Sequence, residues 1–166
     1  MNAGAYGSEM SNIIKSVRCM DLNGAIRDIS SAECEFGYRK SIFTSSGDII
    51  LSCVFQLEMG FEEKIRAYTN ELTQRRVSKQ PLDKPSAGSV FKRPEGYYAG
   101  GLIEQAGLKG YSIGGAQVSE KHAGFIINKG GATARDVLDL IEYIKKTVFD
   151  MSGVMLEPEI KIIGEF

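Results

Sequence analysis

The chain has 166 residues, 43% of them hydrophobic and 25% charged, enough to bury one sizeable core or two small ones, which excludes a disordered chain. Its 20 basic and 21 acidic residues nearly cancel and form no basic run, so bulk attraction to nucleic acid is excluded and any anion site must be local. No apolar run approaches the ~18 residues of a membrane span and no signal-peptide pattern opens the chain, so no membrane partner and a cytoplasmic location are expected.

Cys19, Cys34 and Cys53 are odd in number and lack the paired spacing of a zinc site. They read as reduced, small apolar residues, and no metal centre is expected. The opening, Met1 to Gly7, is small and glycine-rich around Tyr6, closer to a ligand-facing loop than to a fraying start. A domain seldom begins inside such a loop, so the chain is expected to be a fragment.

In chain order, Ile13 to Leu22 and Ala25 to Ile29 flank Asn23-Gly24, a two-residue pair that accepts positive φ and predicts a hairpin. Ser30 and Glu33 have the spacing of a reciprocal cap for one helical turn. The polar and aromatic run 36 to 43 then reads as an edge segment with solvated cations. After the turn at Ser46-Gly47-Asp48, Ile49 to Leu57 predicts a strand whose apolar positions face a core. Phe61, Ile65, Tyr68 and Leu72 recur at helical spacing and predict an amphipathic helix from 61 to about 77 with a buried stripe.

Pro81 and Pro85 break any further helix and make 79 to 86 an extended linker, dividing the chain into 1–80 and 81–166. The second part predicts a strand at Ser89 to Lys92 and a helix at Tyr98 to Ala106 closed by Gly107. Strands follow at Tyr111 to Val118 and Phe125 to Asn128, joined by the turn 119 to 122. Thr133 caps a helix from Ala134 to about Asp150 with Val137, Leu138, Ile141, Ile144 and Val148 inward, ended by Gly153. A last strand is placed at Glu159 to Ile163, with Glu159 and Lys161 on one face and Ile160 and Ile162 on the other. That β-α-β-β-α-β order predicts an α+β layer fold.

One stretch concentrates chemistry. Pro85 to Pro94 sets Ser86 and Ser89 beside Gly88, then Lys92 and Arg93, which suits an anion or proton-transfer corner and equally a plain loop-to-strand junction. It is not the nucleophile elbow of a hydrolase, because Phe91 stands where the second glycine belongs. The single histidine, His122, has no spacing that marks it as a partner base, so a serine nucleophile gains no support.

Five blocks in register carry a resemblance over essentially the whole chain: Asn-Ala-Gly-Ala-Tyr-Gly at 2 to 7, Phe-Gly-Tyr-Arg-Lys-Ser-Ile-Phe at 36 to 43, the serine block at 85 to 94, Gly-Ala-Gln-Val-Ser-Glu-Lys-His-Ala-Gly-Phe at 115 to 125 and Leu-Glu-Pro-Glu-Ile-Lys-Ile-Ile-Gly at 156 to 164. Together they resemble the UDP-N-acetylenolpyruvoylglucosamine reductases. The resemblance implies a flavoenzyme of peptidoglycan precursor synthesis that takes a hydride from NADPH onto FAD and passes it to the enolpyruvyl group of UDP-N-acetylglucosamine enolpyruvate, giving UDP-N-acetylmuramate. It also implies that residues 1–80 are the C-terminal part of an FAD-contacting domain and 81–166 the substrate-binding domain. The glycine-rich FAD module that precedes them in the family is not found in this sequence.

Matched residue by residue, the resemblance puts the proton donor on Ser89 and the groups that hold the enolate on Arg39 and Glu159. Gly4, Ala5, Tyr6 and Arg39 match positions that line the flavin, and Tyr38, Lys79, Lys92 and Arg93 positions that meet substrate. Lys79 matches across a small gap in spacing, and Arg93 stands where some members carry asparagine. The chain also lacks the tyrosine-bearing insertion of one family branch. Apolar surface that the absent module would cover predicts self-association, or poor order in residues 1 to 12. The competing reading is a non-catalytic α+β binding or interaction module, since fold alone does not fix function.

Overall fold

In the computed structural model, which describes residues 1–164, the chain divides into two compact units, Met1–Leu72 and a second that begins at Thr73. The first opens with a small hairpin, β1 (Gly4–Ala5) and β2 (Ser8–Glu9). Its turn residues Tyr6 and Gly7 take φ of 53° and 82°, the pairing of left-handed residues whose twist suits a tight hairpin. Asn2 is buried behind it, its side-chain carbonyl accepting the Ser11 N–H at 2.9 Å.

A three-stranded antiparallel sheet follows in the order β4-β3-β5, built from β3 (Ile14–Met20), β4 (Ile26–Ser30) and β5 (Ile49–Phe55). The hairpin expected around Asn23-Gly24 is present with a longer connection, because the last ladder pair is Met20 with Ile26. The Asp21 carboxylate accepts the N–H groups of Asn23 and Ala25 at 2.8 and 2.9 Å, an Asx-type turn in which Gly24 alone carries positive φ. The Ser30–Glu33 cap forms as expected, Glu33 accepting both the N–H and the hydroxyl of Ser30 at 2.8 and 2.6 Å. Those bonds hold the Glu33 carboxyl below its ordinary range.

Two burial expectations for this part are corrected. All seven residues of β5 are exposed, Ile50 at 50% among them, because the unit's apolar cluster gathers on β3 and β4 and takes in no residue of β5. The core of the unit is small, with Val17, Ile29 and Cys34 buried and Ile14, Phe36, Ile42 and Phe43 against them. The helix read from the apolar spacing is α1 (Glu62–Lys79), yet Phe61, Ile65 and Tyr68 are exposed and Leu72 is half-buried. Helical period established the stripe; it could not supply an element to cover it. The division between the units falls within this helix.

The second unit runs β6 (Ser86–Ser89), α2 (Ala99–Gln105), β7 (Ser112–Ile113), β8 (Ala116–Val118), β9 (Phe125–Asn128) and α3 (Ala134–Ser152). Its antiparallel sheet has the order β6-β9-β8-β7, and both helices pack their apolar stripes into one core with it, an α+β arrangement. Ile103, Leu140, Ile141, Ile144 and Val148 are fully buried there, while Val137 and Leu138 of the expected stripe are only half-buried. Thr133 caps α3 by accepting the Asp136 N–H at 3.1 Å, and Gly153 closes it at φ 69°.

Three strand expectations change. Tyr111 to Val118 is a hairpin, not one strand, turning at Gly114-Gly115, where Gly114 takes φ 52°. A Cβ on Gly115 would lie 2.3 Å from the Ala132 nitrogen, so only glycine permits this approach to the segment entering α3. Strand β6 begins at Ser86 and ends at Ser89, instead of spanning Ser89 to Lys92, and of the expected 79 to 86 linker only its end residues Lys79 and Ser86 belong to α1 and β6, leaving 80 to 85 without helix or strand. The last stretch is no strand: Pro158 makes a single bridge with Phe91 through the bonds of its neighbours, and the Val90 N–H that would continue the ladder to Glu159 goes to the Gly124 carbonyl instead. Ile162 and Ile163 are exposed. Among the described residues no helix is long and apolar enough to cross a membrane.

Candidate functional site

The serine block folds as the sheet edge of the second unit. From Ser86, opposite Ile127, to Ser89, opposite Phe125, β6 spends one residue more than β9, a bulge centred on Gly88 at φ 85°. Such a bulge turns the side chains that follow it, and Ser89 emerges exposed at its end. Val90 next joins three segments, its N–H donating to the Gly124 carbonyl at 2.9 Å and its carbonyl accepting the Glu159 N–H at 2.7 Å. Ser89 and Glu159, seventy residues apart in sequence by their numbers, are thereby brought to adjoining backbone positions. Glu159 is half-buried there.

The cations beyond are held in place. Lys92 pairs through its ammonium with Glu157, and its N–H donates to the Glu157 carbonyl at 2.9 Å. The Arg93 guanidinium lies 4.0 Å from the centroid of Tyr98, and its Nε donates to the Tyr97 carbonyl at 3.3 Å. Lys79 is exposed on the last turn of α1.

His122, which spacing alone left without a role, is built into the same sheet edge. Its Nδ1 accepts the Gly124 N–H at 3.1 Å, its carbonyl accepts the Phe125 N–H at 3.0 Å, and its ring meets Phe125 edge-on at 4.9 Å. The buried Ser119 hydroxyl accepts the N–H groups of Lys121 and His122 at 3.2 and 3.3 Å. The imidazole fits because two glycines make room: a Cβ on Gly100 would lie 3.4 Å, and on Gly124 3.0 Å, from its Cε1. Burial, with the charges of Lys109 and Lys79 adding to it against Glu104, pushes the imidazole below its ordinary pKa and favours the neutral form that this acceptor role requires. The available signal was local, since the glycine two residues beyond the histidine supplies the N–H that its side chain accepts.

The remaining sequence-identified residues lie in the first unit. Tyr38 and Arg39 form the two-residue tip of a turn closed by reciprocal backbone bonds between Gly37 and Lys40, both 3.1 Å. Arg39 takes φ 55°, and its guanidinium carbon lies 5.3 Å from the Tyr38 ring centroid. Gly4, Ala5 and Tyr6 lie along one arm and the tip of the opening hairpin, all three exposed. A Cβ on Gly4 would stand 3.1 Å from the Ser8 carbonyl, so the strand is bare backbone at that point. Among the described residues no group of histidine, cysteine or carboxylate side chains is arranged to hold a metal.

With this geometry in hand, comparison with known proteins is specific. The family model described as UDP-N-acetylenolpyruvoylglucosamine reductase, C-terminal domain, matches residues 80–163. The UDP-N-acetylenolpyruvoylglucosamine reductase of Caldanaerobacter subterraneus is 60% identical over 165 residues, 99% of this chain and 55% of the relative. That of Clostridioides difficile is 55% identical over 165 residues, 99% of this chain and 54% of the relative. The crystal structure of the reductase from Thermus caldophilus superposes with a TM-score of 0.86 at 35% identity, covering 97% of this chain and 57% of that one. The chain thus spans about half the length of the curated relatives it matches.

Proposed function

Since the chain belongs to the UDP-N-acetylenolpyruvoylglucosamine reductase family, oxidoreductases of peptidoglycan synthesis, we propose that it is the substrate-binding and proton-donating portion of such a cytoplasmic reductase. In this reading residues 1–80 are part of an FAD-contacting domain and 81–166 the domain that takes UDP-N-acetylglucosamine enolpyruvate. NADPH is the reductant, and activity of the chain by itself is weak or absent. The observation that supports the reading is the backbone pairing of the 157–159 segment with residues 90–92, in which the Glu159 N–H bonds to the carbonyl of Val90, the residue after the proton-donor candidate Ser89.

The residues proposed to meet FAD fit a flat ring system: Tyr6 offers an exposed aromatic face at a tight turn, beside the small Ala5 and the bare backbone of Gly4. Arg39 is the one cation among the residues proposed to line the flavin. FAD, when bound and reduced by NADPH, would supply the hydride that adds to the methylene carbon of the enolpyruvyl group.

The chain's own residues do the rest. Addition at the methylene carbon leaves the electron pair on the carbon beside the substrate carboxylate, as an enolate. The Arg39 guanidinium grips that carboxylate in bidentate fashion and offsets the charge that develops on it. Ser89 gives its hydroxyl proton to the carbanionic carbon, and solvent returns a proton to the serine; an enolate is basic enough to take a proton even from an alcohol. Glu159 holds the enolate end in orientation, and Tyr38, Lys79, Lys92 and Arg93 bind the rest of the UDP-sugar.

Two measurements test this. Titration of the chain with the UDP-sugar should saturate, and with FAD should give at most a weak change in flavin absorbance and fluorescence. Fused behind the N-terminal portion of the Caldanaerobacter relative, the chain should turn over, and Ser89→Ala should lower kcat by roughly 10²- to 10⁴-fold, the worth of a general acid. A fusion that turns over equally well with Ser89→Ala would reject the donor assignment. Failure to bind the UDP-sugar at all would favour the non-catalytic binding module.

A further inference from the structure

The geometry points to His122 as a positioning residue for Ser89: we propose that its neutral imidazole, protonated on Nε2, fixes through Nδ1 the Gly124–Phe125 backbone against which Ser89 and Val90 are laid. This deepens the proposed function and rests on the reading of Ser89 as proton donor.

Five contacts make the link. The Gly124 N–H ends on the imidazole Nδ1 at 3.1 Å, while the carbonyl of the same residue takes the Val90 N–H at 2.9 Å. Phe125, the residue paired with Ser89, has its N–H on the His122 carbonyl at 3.0 Å, its carbonyl on the Ser119 N–H at 2.9 Å and its ring against the imidazole. Both residues facing the Ser89–Val90 step are therefore tied to His122, one through the side chain and one through the backbone. The bulge at Gly88 interrupts the ladder just before the Ser89–Phe125 pair, so the position of Ser89 depends on how firmly the β9 side is held.

The tie depends on protonation state as well as shape. Nδ1 accepts only while it carries no proton, so protonation of the imidazole turns the acceptor into a donor facing the Gly124 N–H and breaks the contact. The ionisable groups around the ring are Lys79 at the end of α1, Glu104 on α2 and Lys109 after it. Lys121, next in the turn, donates its ammonium to the Val77 carbonyl at 2.6 Å, which anchors the turn to the last part of α1.

The test separates positioning from general stability. On the chain as it stands, nitrogen NMR should find the His122 proton on Nε2, and the Gly124 amide should exchange at least about tenfold more slowly than in His122→Phe, which fills the space without an acceptor. His122→Asn should restore protection, because an asparagine side chain accepts the N–H two residues on.

In the fusion described above, His122→Phe should lower kcat roughly tenfold to a hundredfold, the scale of a slightly misplaced reacting group, while KM for the UDP-sugar moves less than about threefold. His122→Asn should stay within about threefold of the parent. In a Ser89→Ala background, His122→Phe should cost less than about threefold more, because its effect runs through the serine. A proton on Nδ1, an unchanged kcat in His122→Phe, or a full additional loss in the Ser89→Ala background would each overturn the inference. An unchanged kcat in Ser89→Ala would instead overturn the donor reading itself, and this inference with it.

Discussion

Arg39 and Tyr6 hold left-handed backbone, at φ 55° and 53°, in a chain where glycine occupies most such positions. A side chain there costs on the order of 1–2 kcal/mol relative to glycine, and strain of this kind collects where a residue's side chain is needed. Both residues are among those the family resemblance assigns to flavin or substrate. His122 presents the other side of residue-scale control, a titratable group held neutral by burial. Its folded pKa lies below the ordinary value near 6.5, so below that point the unfolded chain binds more protons than the folded one. The contribution of His122 to stability should be complete above pH 6.5 and should fall as pH drops toward the folded pKa, then level off. Chemical denaturation of parent and His122→Asn across pH 8 to 5 checks this, since only the parent should show that component.

Single glycines govern the elements of the second unit. The turn at Gly114-Gly115 folds one apolar run into β7 and β8, and Asp136, at the start of α3, accepts the N–H groups of Gly115 and Thr133 at 3.1 and 3.0 Å. Those bonds hold its carboxyl below the ordinary range. The β7–β8 hairpin and the N-terminus of α3 are thus one device, closed by a carboxylate at a helix start, where the helix dipole also favours negative charge. Gly115→Ala should destabilise the unit by about 3 kcal/mol, at the upper end of overpacking, because the atoms that Cβ would strike are backbone. Equilibrium urea unfolding would reveal it as a lower midpoint with unchanged slope.

At the scale of the molecule the two units differ in how much they bury. The second places two helices on a four-stranded sheet around a continuous apolar cluster, whereas the first relies on a small cluster around Val17, Ile29 and Cys34 and leaves Ile49, Ile50, Leu51, Val54 and Phe55 of β5 exposed. An exposed apolar edge strand is a template for pairing with another chain. Light scattering should find self-association of the parent, and Ile50→Lys with Leu51→Lys should suppress it without altering the circular dichroism. A parent that stays monomeric at high concentration would count against that reading.

Much of this was legible in the sequence for a local reason. The period of α3, its Thr133 cap and Gly153 stop, the Ser30–Glu33 reciprocal cap and the existence of the first hairpin are each set by neighbours within a few residues, where propensity and side-chain chemistry act directly. The family blocks were legible because their order and spacing survive in one dimension. Only the tertiary structure decided that the stripes of β5 and α1 lie exposed, that the last segment pairs at one bridge only, and that Glu159 and His122 meet the serine edge through Val90 and Gly124. Burial and contact between distant residues depend on which surfaces the fold brings together, and a periodic pattern gives a residue's face without giving what that face will touch.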